Sequence, residues 1–254
     1  MTTATASASS VVTWGSNLLA RFGAVLRDGL RIWWLAPVIP ALVVVPEFVQ
    51  HVIEIRIGMF DSLERAREAG DSAQRMIPGY FKVAGLILAI FAAVRFWGAH
   101  ANGARWTDWR AVRWKAFFVA FAILVVTSVP IFAAQAISEA AGAIANLVVG
   151  LAILPVYVLI VRALAHAPDA TLGSVYRTGW AAALLMAALA ILTWMPLQAL
   201  HGLNHRWAIG ASPALVWALM VFDSLVVGLL ATYAGTALHH GSVPLARRED
   251  QPAA

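Results

Sequence analysis

The sequence predicts an all-α, polytopic membrane protein: a six-helix transmembrane bundle built from helical hairpins, with an N-terminal amphipathic helix in the membrane interface. Hydrophobic residues make up 61% of the 254 residues and charged residues only 12%. In soluble domains, about 45 to 50% of residues are apolar and about 25% are charged. Six stretches contain the roughly 20 apolar residues that a helix needs to cross a bilayer. The basic residues are spread between these stretches, as in a multi-pass protein.

The first 29 residues are expected to form a polar tail and then the interfacial helix. After Met1 the chain runs TTATASASS, and apolar residues then recur at three-, four- and five-residue steps. They are Val11, Trp14, Leu18, Phe22, Val25 and Leu30. This periodicity is typical of a helix that lies in the plane of the membrane surface. An organellar transit peptide, which is also rich in serine and poor in acidic residues, is the alternative.

The transmembrane domain is predicted to cover residues 30–240, followed by a cytoplasmic tail at 241–254. Its six spans are expected at 33–57, 80–99, 114–134, 143–165, 179–200 and 213–238. Prolines in the outer parts of the first, third and fifth spans bend the helix, and each leaves one carbonyl without its helical hydrogen bond. These are Pro46, Pro130 and Pro196. We expect kinks that shape the bundle; the alternative is a cavity lined by the released carbonyls.

The segment between the first two spans is rich in charges. Asp61 and Arg65, Arg67 and Asp71, and Asp71 and Arg75 are each four residues apart. Such pairs stabilise a solvated helix by a few tenths of a kcal/mol each. We therefore expect the first span to continue as helix into this segment and to end before Gly70.

The distribution of lysine and arginine predicts that both termini are cytoplasmic. Twelve basic residues lie in the segments on the side of the termini: Arg21, Arg27, Arg31, Arg95, Arg105, Arg110, Arg113, Lys115, Arg162, Arg177, Arg247 and Arg248. On the other side, the basic residues are nearly balanced by acidic ones. Since cytoplasmic loops collect lysine and arginine, this asymmetry sets the orientation.

An internal repeat of a linker and a helical hairpin is indicated by rare residues that keep their spacing. His100 and His166, Trp114 and Trp180, and Pro130 and Pro196 are each 66 residues apart. A shift that aligns histidine, tryptophan and proline together indicates repeated structure. The first span shows a looser echo of this unit, so we expect the unit to be used three times, as parallel repeats.

Ionisable residues inside predicted spans are candidate functional residues, because a charge there costs about 2.5 kcal/mol or more. Asp223 lies deepest, and Glu47 lies in the first span beside Pro46. With Asn146 they form the candidate intramembrane polar set. Arg95 and Arg162 lie near the cytoplasmic ends of their spans, where we expect their side chains to extend to the membrane surface.

The segment HGLNHR places His201 and His205 four residues apart in an expected outer loop. Such a pair holds a metal ion only if it is helical and joined by further ligands, which the sequence does not indicate. The other histidines lie near membrane boundaries, which favours interface residues over haem ligands. The chain has no cysteine and hence no thiolate nucleophile. We expect no metal site, no cofactor and no catalytic residue.

The segment HAPDATLGSVYRTGWAAALLMAALAIL at 166–192 carries a resemblance to known families. It resembles bacterial six-helix inner-membrane families of unknown function, similar to the membrane region fused to some glycerophosphodiester phosphodiesterases. In them a short amphipathic segment leads into a Gly-Trp-like start of the next helix. No phosphodiesterase domain is present, so the resemblance implies an arrangement of helices and no catalytic residue.

The sequence thus predicts a non-catalytic integral protein of the bacterial cytoplasmic membrane, in envelope upkeep or as a partner or assembly component. Expected partners are membrane lipids and a protein partner or second copy of the chain. Nucleic acid is excluded because the basic residues do not gather on one face. The alternative is a small proton- or cation-coupled transporter or permease that uses Asp223 and Glu47. A lipid-modifying enzyme ranks third.

Overall fold

The computed structural model describes residues 3–167 and 170–243, with side chains from residue 18 onward. Within these ranges the chain is all-α and contains no strand. The helices are α1 (Thr3–Leu35), α2 (Val38–Arg56), α3 (Leu63–Gly70), α4 (Ala73–His100), α5 (Trp114–Ile137), α6 (Glu139–Leu164), α7 (Leu172–Thr178), α8 (Trp180–Ala208) and α9 (Pro213–Ser242). A short 3-10 turn lies at Trp109–Ala111.

Six helices, α2, α4, α5, α6, α8 and α9, are long and apolar enough to cross a bilayer. The predicted fold class, an all-α six-helix membrane protein, is therefore confirmed. Many apolar side chains of these helices are exposed, among them Phe118 and Phe132 on α5. In an integral membrane protein such side chains contact lipid. Most of the predicted tail 241–254, with Arg247 and Arg248, lies outside the described residues.

The first span begins later than predicted. Helix α1 continues to Leu35 and so includes Trp33, while α2 starts after Pro37. Proline has no N–H to donate and is tolerated at a helix start, so the break falls there. Val25 and Ile32 are buried on α1, whereas Leu19 is exposed. On the predicted apolar face Leu30 is exposed, and the polar Asp28 is buried. The interfacial position of this helix stays a prediction.

The predicted continuation of the first span toward Gly70 is wrong. Helix α2 ends at Arg56, and Gly58 adopts a positive φ of 71°. A separate helix, α3, then begins with Ser62 as its N-cap, whose hydroxyl accepts from the backbone N–H of Arg65 at 3.1 Å. Glycine favours this left-handed conformation and a serine cap restarts a helix. None of the three predicted charge pairs lies within one helix, because Asp61 precedes α3 and Asp71 follows it.

The chain divides into two compact units, residues 1–107 with 188–237 and residues 108–187 with 238–254. In the first unit, α1, α2, α4 and the adjoining parts of α8 and α9 enclose an apolar core. Its buried members include Ile32, Ile39, Val43, Ala89, Ala93, Phe96, Val227 and Leu230. The Trp97 indole N–H donates to Thr236 Oγ1 at 3.1 Å, which ties α4 to α9.

Small residues bring the helices of the first unit close together. Proline at 46 has no N–H for the carbonyl of Leu42, four residues earlier. A Cβ at Gly85 of α4 would meet this same Leu42 oxygen. Gly85 therefore lets α4 cover the carbonyl that Pro46 releases. On α9, a Cβ at Gly235 would likewise meet the carbonyl of Ile90. Close packing through small residues is typical of membrane helices.

The second unit is built on the hairpin of α5 and α6. Ser138 joins the two helices, and its hydroxyl caps α6 by accepting from the N–H of Ala141 at 3.1 Å. Arg113, before α5, donates through Nη1 to the carbonyl of Ala167 at 2.8 Å. Tyr176 of α7 donates to the carbonyl of Ala152 on α6 at 2.8 Å. Glu139 is exposed at the start of α6.

Candidate functional site: a buried histidine–carboxylate cluster

Three carboxylates and three histidines meet in the first unit. They lie toward the ends of α2 and α4 that residues 57–72 join, and toward the ends of α8 and α9 that residues 209–212 join. We call them the His–carboxylate cluster: Glu47, His51 and Glu54 of α2, His201 and His205 of α8, and Asp223 of α9. All six belong to helices that are able to cross a membrane. The cluster is therefore a concentrated set of ionisable groups in an apolar part of the chain.

Helix α2 supplies half of the cluster from one face. Glu47, His51 and Glu54 are spaced by four and three residues, so their side chains project in the same direction. All three are buried. His51 uses both ring nitrogens: Nε2 lies 3.2 Å from Glu47 Oε1, and Nδ1 lies 2.8 Å from Glu54 Oε2. His51 therefore fixes the two glutamates relative to each other.

Asp223 joins α9 to both other helices. Its Oδ2 lies 3.1 Å from His51 Nε2, 2.6 Å from His201 Nδ1 and 3.5 Å from His205 Nε2. Its Oδ1 accepts from Asn204 Nδ2 at 2.8 Å. The aspartate is fully buried, whereas its partners His201 and His205 are partly exposed. Through one oxygen, Asp223 thus contacts histidines of both α2 and α8.

Two basic residues of α4 neutralise part of the cluster's charge. Arg75 Nε donates to Glu54 Oε1 at 2.8 Å, and Lys82 Nζ lies 3.2 Å from Glu47 Oε2. The Arg75 and Lys82 side chains are 25% and 20% exposed. Both therefore reach from the rim of the unit to a buried partner. Arg75 also donates to the carbonyl of Gly70, which anchors the start of α4.

The donor atoms of the cluster are close enough to share a metal ion. One ligand atom from each of Glu47, His201, His205 and Asp223 lies within 4.8 Å of the others. A second group of His51, Glu54 and His205 meets the same limit. Asn204 adds an acceptor: its Oδ1 is buried and accepts no hydrogen bond within the described part of the chain. Imidazole and carboxylate together form a donor set that binds divalent metals.

Two of the predicted polar residues belong to the cluster, and one does not. Glu47 and Asp223, on the first and last spans, both contact Nε2 of His51. Asn146 lies on α6 in the second unit, where its side chain is exposed. Hydropathy identifies polar residues whose burial in a span costs free energy, but not which of them contact the same side chain. That depends on helix rotation, which hydropathy does not encode.

The placement of His201 and His205 in an outer loop is wrong. Helix α8 continues to Ala208 rather than ending at residue 200, so the two histidines lie one turn apart on a helix. The apolar window ends at residue 200, but Asp223 bonds to the polar side chains beyond it, which allows the helix to continue. The expectation that no further ligands join them is also wrong, because Glu47 and Asp223 lie beside them. His51 is buried rather than interfacial.

The two arginines differ in position. Arg95 is 2% exposed, because residues 92–99 of α4 are all buried. The prediction that Arg95 extends to the membrane surface is therefore wrong: packing encloses the end of its helix. Arg162 is partly exposed in the last turn of α6, where its predicted role stays a prediction.

A signal for the cluster was present in the sequence as ExxxHxxE on the first span and HxxxH on the fifth.

No protein-family model, curated protein or solved structure matches the chain.

Proposed function

We propose that this protein is a small cation-coupled transporter or permease of a bacterial cytoplasmic membrane, with the His–carboxylate cluster as its cation site. The observation that supports this most is the meeting of Glu47 and Asp223 on Nε2 of His51, at 3.2 and 3.1 Å. Two carboxylates buried this close repel each other unless positive charge lies between them. A partner or assembly protein, the other prediction, needs no such cluster in its spans.

The three carboxylates of the cluster give it an affinity for positive charge. They already face the guanidinium of Arg75, the ammonium of Lys82 and both ring nitrogens of His51. A carboxylate in a low-dielectric interior needs such partners, because an uncompensated charge there costs several kcal/mol. A cation that enters the cluster takes the place of one of these partners.

The exposure of the histidines supports access to the cluster. The side chains of His201 and His205 are 17% and 20% exposed, whereas Glu47 and Asp223 are fully buried. In the proposed orientation both termini face the cytoplasm, because basic residues are concentrated on that side. The cluster then lies in the outer half of the membrane. A cation from outside the cell would meet the histidines first and the carboxylates next.

Transport by purified protein in liposomes tests the proposed function. Na⁺, K⁺, Mg²⁺, Mn²⁺ and Zn²⁺ would be offered in turn, and accumulation in the lumen measured with ion-sensitive dyes or by elemental analysis. We expect uptake of at least one cation by the wild type and none by Asp223→Asn, which removes the carboxylate charge. Glu139→Gln, which changes an exposed carboxylate at the start of α6, is the matched control and should transport normally.

Two results would contradict the proposal. One is the absence of uptake of every cation by correctly inserted wild-type protein. The other is equal uptake by wild type and Asp223→Asn, provided that both elute as the same folded species in detergent. Either result would favour the partner or assembly role.

A further inference from the structure

We infer that the cation is a divalent transition-metal ion of the zinc class, bound by Glu47, His201, His205 and Asp223. This inference rests on the proposed function, because both take the His–carboxylate cluster as the cation site. It adds the identity of the cation.

The spacing of the donor atoms suits a four-coordinate ion. Zinc bonds to imidazole nitrogen and carboxylate oxygen at about 2.0 to 2.2 Å in a tetrahedron, so neighbouring donor atoms lie roughly 3.3 Å apart. Asp223 Oδ2 lies 2.6 Å from His201 Nδ1 and 3.5 Å from His205 Nε2, which brackets that value. All four donors lie within 4.8 Å of one another.

The types of donor select the class of ion. Two imidazoles and two carboxylates suit zinc and its neighbours in the first transition row, because imidazole is a ligand for Zn, Cu, Fe and Ni. Calcium takes six to eight oxygen ligands, and magnesium keeps several waters in an octahedron of oxygen atoms. Neither ion makes use of His201 and His205. The monovalent ions Na⁺ and K⁺ would leave those imidazoles without a role.

The secondary structure holds three of the donors in place. His201 and His205 lie one turn apart on α8, so their rings are on the same face. Their ring centroids are 4.9 Å apart. Asn204, on the same turn, donates to Asp223 Oδ1 and leaves Oδ2 directed at the histidines. A donor set fixed in this way loses little conformational entropy when it binds an ion.

A second layer of contacts positions the two carboxylate donors. His51 contacts Glu47 and Asp223 through Nε2 and Glu54 through Nδ1, and Arg75 donates to Glu54. Groups that hold metal ligands by hydrogen bonds are a regular feature of metal sites in proteins. His51, Glu54 and Arg75 are therefore positioning residues in this inference.

Lys82 is the group that an incoming ion displaces. Its ammonium lies 3.2 Å from Glu47 Oε2 and its side chain is 20% exposed, so the long stem is able to swing outward. The divalent ion then takes the place of the ammonium beside Glu47.

Equilibrium binding of Zn²⁺ and Co²⁺ to purified, chelator-treated full-length protein tests the inference. We expect one Zn²⁺ per chain and, with Co²⁺, the intense visible absorption of a tetrahedral site. His201→Gln and His205→Gln keep a polar side chain on the helix but remove the imidazole. Each should lower affinity by more than about 100-fold, since even groups that only orient ligands change it about 10- to 100-fold.

His166→Asn is the matched control. His166 is exposed and has a φ of 62°, a conformation in which asparagine is well tolerated. It should bind Zn²⁺ and Co²⁺ like the wild type. Equal binding by the wild type and both glutamine variants, or no binding by the wild type, would overturn the inference.

Combined with the liposome assay, these measurements separate the two proposals. Uptake of Na⁺ or K⁺ that depends on Asp223, without Zn²⁺ binding, would leave the proposed function standing and overturn the metal inference. Stoichiometric Zn²⁺ binding that depends on His201 and His205, without uptake of any cation, would support the inference and contradict transport.

Discussion

His51 contacts three other members of the His–carboxylate cluster, a number that the sequence alone does not indicate. Its two ring nitrogens contact three carboxylates, on α2 and α9. The neighbouring Glu54 is held in turn by Arg75 of α4. A chain of contacts thus runs from the rim of the unit, through Arg75, Glu54 and His51, to Asp223. In this account the function of the site depends on residues that do not themselves touch the ion.

Replacement of Arg75 by methionine tests this dependence. Arg75→Met keeps a long side chain but removes the donor to Glu54, so the glutamate and His51 lose part of their orientation. We expect Zn²⁺ affinity to fall by about 10- to 100-fold, as for other groups that hold metal ligands. Titration calorimetry in detergent would measure this.

Arg65→Met is the control for that substitution. Arg65 lies on α3 and pairs with Glu68 in an exposed position, so its loss should leave affinity unchanged. Equal affinities for Arg75→Met and Arg65→Met would show that the contact with Glu54 has no part in binding.

At the scale of elements, the sequence predicts the six spans well and their ends less well. Apolar length alone identifies α2, α4, α5, α6, α8 and α9. It does not locate the break at Pro37 or the turn at Gly58, because the residues before and after each of these positions have sequence patterns typical of helices. It also ends α8 too early, since Asp223 stabilises the polar residues of its last turns from another helix. This stabilisation comes from a tertiary contact, so it produces no periodic pattern in the sequence of α8.

The contact of α2 with α4 gives a prediction about packing. In Gly85→Ala, the new methyl group would meet the carbonyl oxygen of Leu42, a backbone atom that cannot rotate away. We expect the free energy of unfolding to fall by about 1 to 3 kcal/mol, the usual cost of overpacking. Thermal unfolding of purified protein in detergent would measure the change.

Gly150→Ala is the matched control, because a Cβ at Gly150 of α6 meets nothing within 4 Å. Alanine should be neutral or stabilising there, by up to about 1 kcal/mol, because it favours helix more than glycine does. If Gly85→Ala were as stable as Gly150→Ala, the close approach of the two helices would be contradicted.

For the whole molecule, the orientation in the membrane determines which side of the bilayer the cluster is nearer. The distribution of basic residues predicts cytoplasmic termini, and the cluster lies toward the ends of the helices joined by residues 57–72. Hydropathy predicts that Glu47 and Asp223 are costly residues within spans. It could not show that they share His51, because that contact joins residues 172 positions apart in the chain.

The orientation is testable because the chain contains no cysteine. Glu64→Cys on α3 and Arg105→Cys after α4 each introduce a single thiol at an exposed position. In spheroplasts, a membrane-impermeant maleimide should label Glu64→Cys directly. Arg105→Cys should react only after permeabilisation. The reverse pattern would place the termini outside and the cluster in the inner half of the membrane.

Anomalous diffraction at the zinc absorption edge, from crystals containing Zn²⁺, would locate a divalent transition-metal ion bound by the His–carboxylate cluster. We expect one strong peak per chain, about 2.0 to 2.2 Å from donor atoms of Glu47, His201, His205 and Asp223. A map with no peak at the cluster, or with peaks only on other residues, would contradict it.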